Sequence, residues 1–211
     1  MSVSKESFGT AGGRAASLYV ISNGGTTLKL TDFGACIVSI LVPDRDGRIA
    51  DVAPGYDSAE GYAENPCFLG AVIGPSANRI AGGRFTMDGR TWQLPVNEND
   101  NNLHTDFAHG SHKRFWQAET AENSVTFTLP LADGEFGTPG NRIMQLEYSV
   151  TGEGTVRLHY HADSDKKTLM NLTNHCYFNL AGEDVGGIEQ QTLRLHCASY
   201  CPVRPDSIPT G

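Results

Sequence analysis

The sequence predicts an all-β protein, a large antiparallel β-sandwich built from many short strands. Apolar and polar residues alternate in successive short runs, which is the pattern of strands with one buried face. The 24 glycines and 10 prolines among 211 residues require frequent turns, and helical composition is confined to one short stretch. A chain of this length can bury one large core, and its sequence shows no linker, repeat or low-complexity segment. We therefore expect a single domain spanning residues 1–211.

The first half of the chain contains three alternating runs, a short helical stretch and a hairpin. Alternation predicts strands at residues 18–22, 27–31 and 36–42. Residues 58–65 have the composition of one or two helical turns. In residues 84–94, two alternating runs flank Asp88-Gly89, and such a two-residue loop supplies the positive φ angles of a type I′ turn. A β-hairpin is therefore predicted there.

The second half begins with a polar run and returns to alternation. Residues 95–111 are rich in Asn and Asp, so we expect a long exposed loop. Strands are predicted at residues 124–129, 143–150, 155–161 and 191–197. Residues 133–140 predict a turn-rich loop in which the Glu135 carboxylate is solvated. The last strand leads into a proline-rich loop and leaves an open sheet edge, so we expect a sandwich that is incomplete on its C-terminal side.

The charge balance excludes several classes of partner. The formal net charge is −8, from 24 acidic and 16 basic residues, which argues against binding to nucleic acid or to an anionic membrane surface. No apolar run approaches the roughly 20 residues of a membrane-spanning helix, and the first residues lack the apolar stretch of a signal peptide. We expect a cytoplasmic protein.

The cysteines form an odd and scattered set of Cys36, Cys67, Cys176, Cys197 and Cys201. Such a set does not predict a secreted disulfide framework, so we expect all five to be reduced thiols in the core. Cys197 and Cys201 lie four residues apart but have no second pair of soft ligands. We therefore expect no zinc site there.

Three stretches concentrate polar groups that a sheet does not need. They are residues 77–83, 99–105 and 171–182. Arg79 offers a charged fork of donors suited to binding oxygen atoms, whereas His104 and His175 can transfer protons near neutral pH. The alternatives are a surface ion pair for Arg79, a solvated loop position for His104 and a structural histidine for His175.

Amide and hydroxyl side chains surround His175 in the sequence. They belong to Asn171, Thr173, Asn174 and Asn179. These groups could fix the tautomer of the imidazole or bind the hydroxyls of a polar ligand.

A metal site is the competing interpretation. His159 and His161 are separated by one residue and project from one face of a predicted strand, so they could chelate a metal together with another histidine. The other histidines available are His104, His109 and His112. A cupin-like site would add a nearby glutamate, and this sequence offers only Asp163 and Asp165.

Five motifs in sequence order resemble the aldose 1-epimerase family. They are DVAPGYD at 51–57, ANRIAGGRFTMDG at 77–89, NNLH at 101–104, DGEFGTPGN at 133–141 and NLTNHCYFNLAG at 171–182. The resemblance implies a β-sandwich of the supersandwich type that this family uses, with an open cleft for a small sugar. It also implies that neither a metal nor an organic cofactor is needed.

The same resemblance implies roles for individual residues. Asn78 and Arg79 resemble the pair that binds sugar hydroxyls, His104 the histidine that holds and polarises the sugar, and His175 the general acid. The reaction interconverts α and β anomers by opening and closing the sugar ring.

The family's general base is a glutamate, and a sugar-binding aspartate precedes it. Both lie in a region that follows an Ile-Pro-Thr-Gly motif like residues 208–211. We therefore expect further polypeptide, in this chain or in a second one, to supply the base. The alternative is a carbohydrate-binding protein without activity. Two pairs depart from the family pattern, Pro75-Ser76 in place of an arginine and a bulkier residue, and Thr105-Asp106 in place of glycines.

Overall fold

The computed structural model describes residues 3–211 and is built almost entirely from antiparallel strands. Its strands are β1 Ser4–Ala11, β2 Arg14–Asn23, β3 Thr26–Thr31, β4 Ile37–Pro43, β5 Ile49–Asp51, β6 Val72–Ile73, β7 Arg79–Ile80, β8 Arg84–Met87, β9 Arg90–Gln93, β10 Asn102–Leu103, β11 Gln117–Thr120, β12 Ser124–Leu131, β13 Arg142–Val150, β14 Val156–Ser164 and β15 Thr173–Asn174. The α-helix α1 spans Ala59–Glu64, and single 3-10 turns lie at Ala81–Gly83, Ser111–Lys113 and Glu135–Gly137.

Two sheets enclose the main core. One has the strand order β1-β2-β3-β4-β5 and the other the order β11-β12-β13-β14. Alternate residues of β3 and β13 are buried, because each strand turns one face towards the opposite sheet. Tyr19 of the first sheet and Phe127 of the second meet edge to face, with ring centroids 5.7 Å apart. The predicted antiparallel sandwich is confirmed.

Most of the predicted elements form. The six predicted strands between residues 18 and 161 correspond to β2, β3, β4, β12, β13 and β14, and the predicted helical stretch contains α1. β8 pairs with β9 around Asp88 and Gly89, whose φ angles of 51° and 74° fit the predicted hairpin turn. β1 and β11 were not predicted, because their sequences are largely polar and neither buries a regular face.

Three sequence predictions are wrong. Residues 191–197 form no strand, since they are largely exposed and have no neighbouring strand among the described residues. In the loop 95–111 several polar residues are buried: Asn102 and Thr105 are fully covered, and their side chains tolerate burial because they bond to main-chain atoms. All the cysteines are free, but only Cys36 is buried and three of them are exposed.

A groove with a largely apolar lining is open to solvent beside β14. β14 lies at the edge of its sheet, and a groove of about 440 Å³ runs between it and β4. Leu158, Tyr160 and Phe178 line this groove. Further along the chain, Leu193 and Tyr200 are 82% and 86% exposed. Within residues 3–211, no helix is long and apolar enough to cross a membrane, and a cytoplasmic location stays a prediction.

A buried tyrosine connects the core to the segment that carries His175. Tyr148 is fully buried in β13, and its hydroxyl donates to the Ala35 carbonyl at 2.8 Å. The same hydroxyl lies 3.0 Å from the Asn174 amide nitrogen, which donates to it. One side chain therefore links β13 to β15 and to the connection between β3 and β4.

We predict that Tyr148→Phe lowers the free energy of unfolding by about 1–3 kcal/mol, because the buried Ala35 carbonyl loses its donor. Urea denaturation measures this change. Tyr160→Phe is the matched control, since Tyr160 lies on the neighbouring strand and its hydroxyl has no hydrogen-bond partner among the described residues. Equal effects of the two substitutions would contradict the prediction.

Candidate functional site

Two short ladders bring the predicted polar stretches together. β7 pairs with β10, so that Leu103 lies opposite Arg79 and His104 comes next in the chain. β15 pairs with β6, and His175 follows β15. The imidazole rings of His104 and His175 consequently meet edge to face, with centroids 5.2 Å apart. Residues from all three stretches lie in one site.

Asn78 determines the tautomer of His104. The main-chain N–H of Asn78 donates to Nδ1 of His104 at 3.0 Å, and the N–H of His104 donates to the Asn78 carbonyl at 3.0 Å. Because a main-chain N–H can only donate, Nδ1 carries no proton, and the neutral ring holds its proton on Nε2. Burial first, and then the nearby His175 and Arg79, lower the pKa of His104 to about 4. At neutral pH this ring is therefore a hydrogen-bond donor.

Arg79 is held by a carboxylate that sequence reasoning missed. Glu98 accepts from Nε of Arg79 at 3.1 Å and from Nη2 at 2.7 Å. This two-point pairing fixes the guanidinium plane and raises the pKa of Arg79 while it lowers that of Glu98. Glu98 stands among many polar residues in the loop 95–111, and nothing in the sequence spacing distinguishes it from them.

The main chain holds His175 in place on both sides. Its N–H donates to the Ala71 carbonyl at 2.8 Å, and its carbonyl accepts from the Gly70 N–H at 3.2 Å. The rings of Phe68 and Tyr177 flank the imidazole, with centroids 5.6 and 5.2 Å away. His175 is thus positioned by backbone bonds and aromatic contacts.

The amides near His175 in the sequence support its backbone. Asn174, Asn171 and Asn179 donate to main-chain carbonyls at 2.7, 3.2 and 2.6 Å respectively, and the acceptor of Asn174 is Gly70. None of the three is hydrogen-bonded to the imidazole within the described part of the chain. Their role there is to fix the segment that carries His175.

A buried threonine joins the two loops of the site. The Thr105 hydroxyl donates to the Ser76 carbonyl and accepts from the Ser76 N–H, both at 2.9 Å. Thr105 has a φ angle of 70°, and its neighbour His104 one of 53°. Left-handed angles cost roughly 1–2 kcal/mol for residues other than glycine. The double hydrogen bond offsets part of that cost at a position where the family resemblance places glycine.

The metal interpretation finds no ligand set in the described structure. Within residues 3–211, no group of three or more His, Cys, Asp or Glu side chains is placed to hold a metal ion. His159 and His161 lie exposed on β14, and His161 is paired with Asp163 at 2.8 Å. His112 is buried away from β14, and its Nε2 lies 3.1 Å from the Phe107 carbonyl.

The fold and the site together define an antiparallel β-sandwich protein with a paired-imidazole site. The family model "Aldose 1-epimerase" matches residues 17–211. The chain belongs to the aldose 1-epimerase family.

Relatives and solved structures agree with this assignment. The chain is 37% identical to the galactose mutarotase of Rattus norvegicus over all of its own length and 62% of that protein. It is 37% identical to the aldose 1-epimerase of Escherichia coli over 91% of its length and 55% of that protein. An aldose epimerase homologue from C. elegans superposes with a TM-score of 0.84 at 28% identity, over 93% of this chain and 60% of that structure. The chain thus spans about 62% of the rat relative that it matches.

We predict that Thr105→Val lowers the free energy of unfolding by about 1–3 kcal/mol, because it leaves two buried main-chain groups of Ser76 unpaired. Thr91→Val is the matched control, since the Thr91 hydroxyl is exposed and meets only that of Thr86, at 3.3 Å. Chemical denaturation of both variants measures the change in the free energy of unfolding. A Thr105→Val protein as stable as the control would show that the double hydrogen bond contributes little.

The buried histidines predict a loss of stability in acid. Burial is the largest cause that lowers the pKa values of His104 and His112 to about 4, from an ordinary value of 6.5. Between pH 4 and pH 6.5 the unfolded chain binds more protons than the folded chain. The contribution of these two histidines to the free energy of unfolding is therefore fully present above pH 6.5 and decreases as the pH falls towards 4. His112→Gln should reduce this slope, whereas the exposed His159→Gln should not. Denaturation midpoints of the native protein and the two variants across this pH range measure the slopes. The same slope in His112→Gln as in the native protein would refute the prediction.

Proposed function

We propose that the protein carrying this sequence is an aldose 1-epimerase, which interconverts the α and β anomers of an aldohexose such as galactose or glucose. The observation that carries the proposal is the pairing of His104 and His175 beside Arg79. Such a group can bind a polyhydroxylated ligand and move a proton within it. Family membership and the relatives named galactose mutarotase support the same activity.

In the proposed binding mode, Asn78, Arg79 and His104 hold the sugar. The exposed Asn78 side chain and the guanidinium of Arg79 would donate to hydroxyl oxygens. Nε2 of His104 carries the proton of the neutral ring, so this nitrogen would donate to a sugar oxygen and polarise it. Glu98 accepts hydrogen bonds from Nε and Nη2 of Arg79, so the remaining N–H groups of the guanidinium point in a fixed direction.

In the proposed reaction, protonated His175 is the general acid. It gives its proton to the ring oxygen, while a base removes the proton of the anomeric hydroxyl, so that the C1–O5 bond breaks and a C1 carbonyl forms. Rotation about the C1–C2 bond and the reverse proton transfers then give the other anomer. A positioned acid or base contributes about 10²–10⁴-fold to such a step.

The base would come from polypeptide outside residues 3–211. Glu98 is a carboxylate close to His104, but its pairing with Arg79 lowers its pKa and makes it a weak base. The chain spans 62% of the rat galactose mutarotase, and the apolar groove beside β14 offers a face for further strands. We propose that the C-terminal part of an aldose-epimerase polypeptide covers this groove and carries the base. Intact mass and a search for a second polypeptide distinguish a continuous chain from a separate one.

Sugar binding without turnover is the second candidate function. It is favoured by the pairing of Glu98 with Arg79, which engages the carboxylate that acts on the pKa of His104. Calorimetric titration with galactose or glucose, together with polarimetry, separates the two candidates. Binding without accelerated mutarotation would support this alternative.

We predict that His175→Asn lowers the rate of mutarotation of α-galactose or α-glucose at least about a hundredfold, because the general acid is lost. Polarimetry on the protein carrying this sequence measures the rate, and His159→Asn, an exposed position on β14, is the control. An undiminished rate in His175→Asn, or no acceleration by the native protein, would refute the proposed mechanism.

A further inference from the structure

Phe68 contacts three imidazoles at once. Its ring centroid lies 5.1 Å from that of His104, 5.6 Å from that of His175 and 4.7 Å from that of His112. The contacts with His104 and His112 are edge to face, the arrangement that aromatic rings prefer. The proposed general acid, His175, and the proposed sugar-binding imidazole, His104, therefore contact one shared apolar ring.

The backbone of Phe68 is strained and held in place. Its φ angle of 57° is uncommon for an aromatic residue. Asn65, which is only 2% exposed, accepts from the Leu69 N–H at 2.8 Å and donates to the Leu69 carbonyl at 3.1 Å. The Asn65 carbonyl also accepts from the Phe68 N–H at 3.2 Å. A strained conformation that the surroundings fix in this way is typical of functional sites.

The same turn is bonded to the segment that carries His175. The Gly70 N–H donates to the His175 carbonyl, and the Ala71 N–H donates to the Phe68 carbonyl at 3.0 Å. The Asn174 amide donates to the Gly70 carbonyl at 2.7 Å. The Phe68 turn and the His175 segment are thus connected directly by hydrogen bonds.

The ring has two physical effects on the pair. It excludes water from one side of each imidazole, and burial is the largest cause of the lowered pKa of His104. It also occupies a fixed volume beside both rings with only two rotatable bonds, whereas a leucine would leave part of that volume empty. Reacting groups lose efficiency steeply when they shift by about 1 Å.

We propose that Phe68 is a positioning residue whose ring sets the relative placement of His104 and His175 and excludes water from one side of each imidazole. It acts through the two histidines and needs no contact with the sugar. The consequence for catalysis rests on the proposed epimerase function, but the effect on the imidazoles does not.

The test compares Phe68→Leu with Phe68→Tyr, which keeps the ring, and with Phe115→Leu as the matched control. Phe115 is also half-buried and packs edge to face on Phe33 at 5.0 Å. Proton NMR titration of the imidazoles should show the pKa of His104 rising from about 4 towards 6.5 in Phe68→Leu, with no change in Phe115→Leu. Phe68→Tyr should titrate like the native protein. Phe68→Met serves in place of Phe68→Leu if the latter does not fold.

Polarimetry on the same variants gives the second measurement. Phe68→Leu should lower kcat at least about tenfold, because it displaces the proposed general acid, and change KM by less than about threefold, because Asn78 and Arg79 still hold the sugar. Unchanged titration of His104 in Phe68→Leu would overturn the inference, as would a loss of activity with native titration of His104. Shifted titration in a protein without mutarotase activity would support the positioning role and refute the proposed function instead.

Discussion

The site depends on hydrogen bonding along both sides of residues 70–79. On one side this segment bonds to residues 171–175, through the Asn171 N–H to the Pro75 carbonyl at 2.7 Å and the His175 N–H to the Ala71 carbonyl at 2.8 Å. On the other side it bonds to the segment of His104, through β7 and β10. Each imidazole is therefore placed relative to the same short stretch of backbone. The two sheets form the rigid support, and residues 70–79 determine where the two imidazoles lie relative to each other.

The chemical state of the site follows from that backbone. The Asn78 N–H points at Nδ1 of His104, so the tautomer is decided by a main-chain donor that cannot change its role. Burial then opposes a second proton on the ring and lowers its pKa. Arg79 adds a positive charge nearby, and Glu98 compensates it. His104 is thereby restricted to hydrogen-bond donation, which is why the proposed mechanism assigns proton transfer to His175.

Local patterns in the sequence predicted the sheets but not the contacts that tune the site. Alternation revealed β2, β3 and β13, because each strand buries one face in the core. Glu98 and Phe68 were missed, since their partners lie elsewhere in the chain and leave no periodic signal. Residues 191–197 alternate as a strand does, but a strand also needs a neighbour, and the described residues provide none.

The left-handed residues around the site show how the fold tolerates local strain. Asn78, His104, Thr105 and Phe68 all have φ angles between 53° and 70°. Each such angle costs roughly 1–2 kcal/mol for a residue with a side chain. Thr105 adds a β-branched side chain where the family resemblance places glycine, and its hydroxyl fills both bonding sites of the Ser76 backbone. Asn65 similarly fixes the turn of Phe68. Buried polar side chains therefore hold the turns of Thr105 and Phe68, and the departure from the family pattern at Thr105 keeps its strained geometry by adding hydrogen bonds.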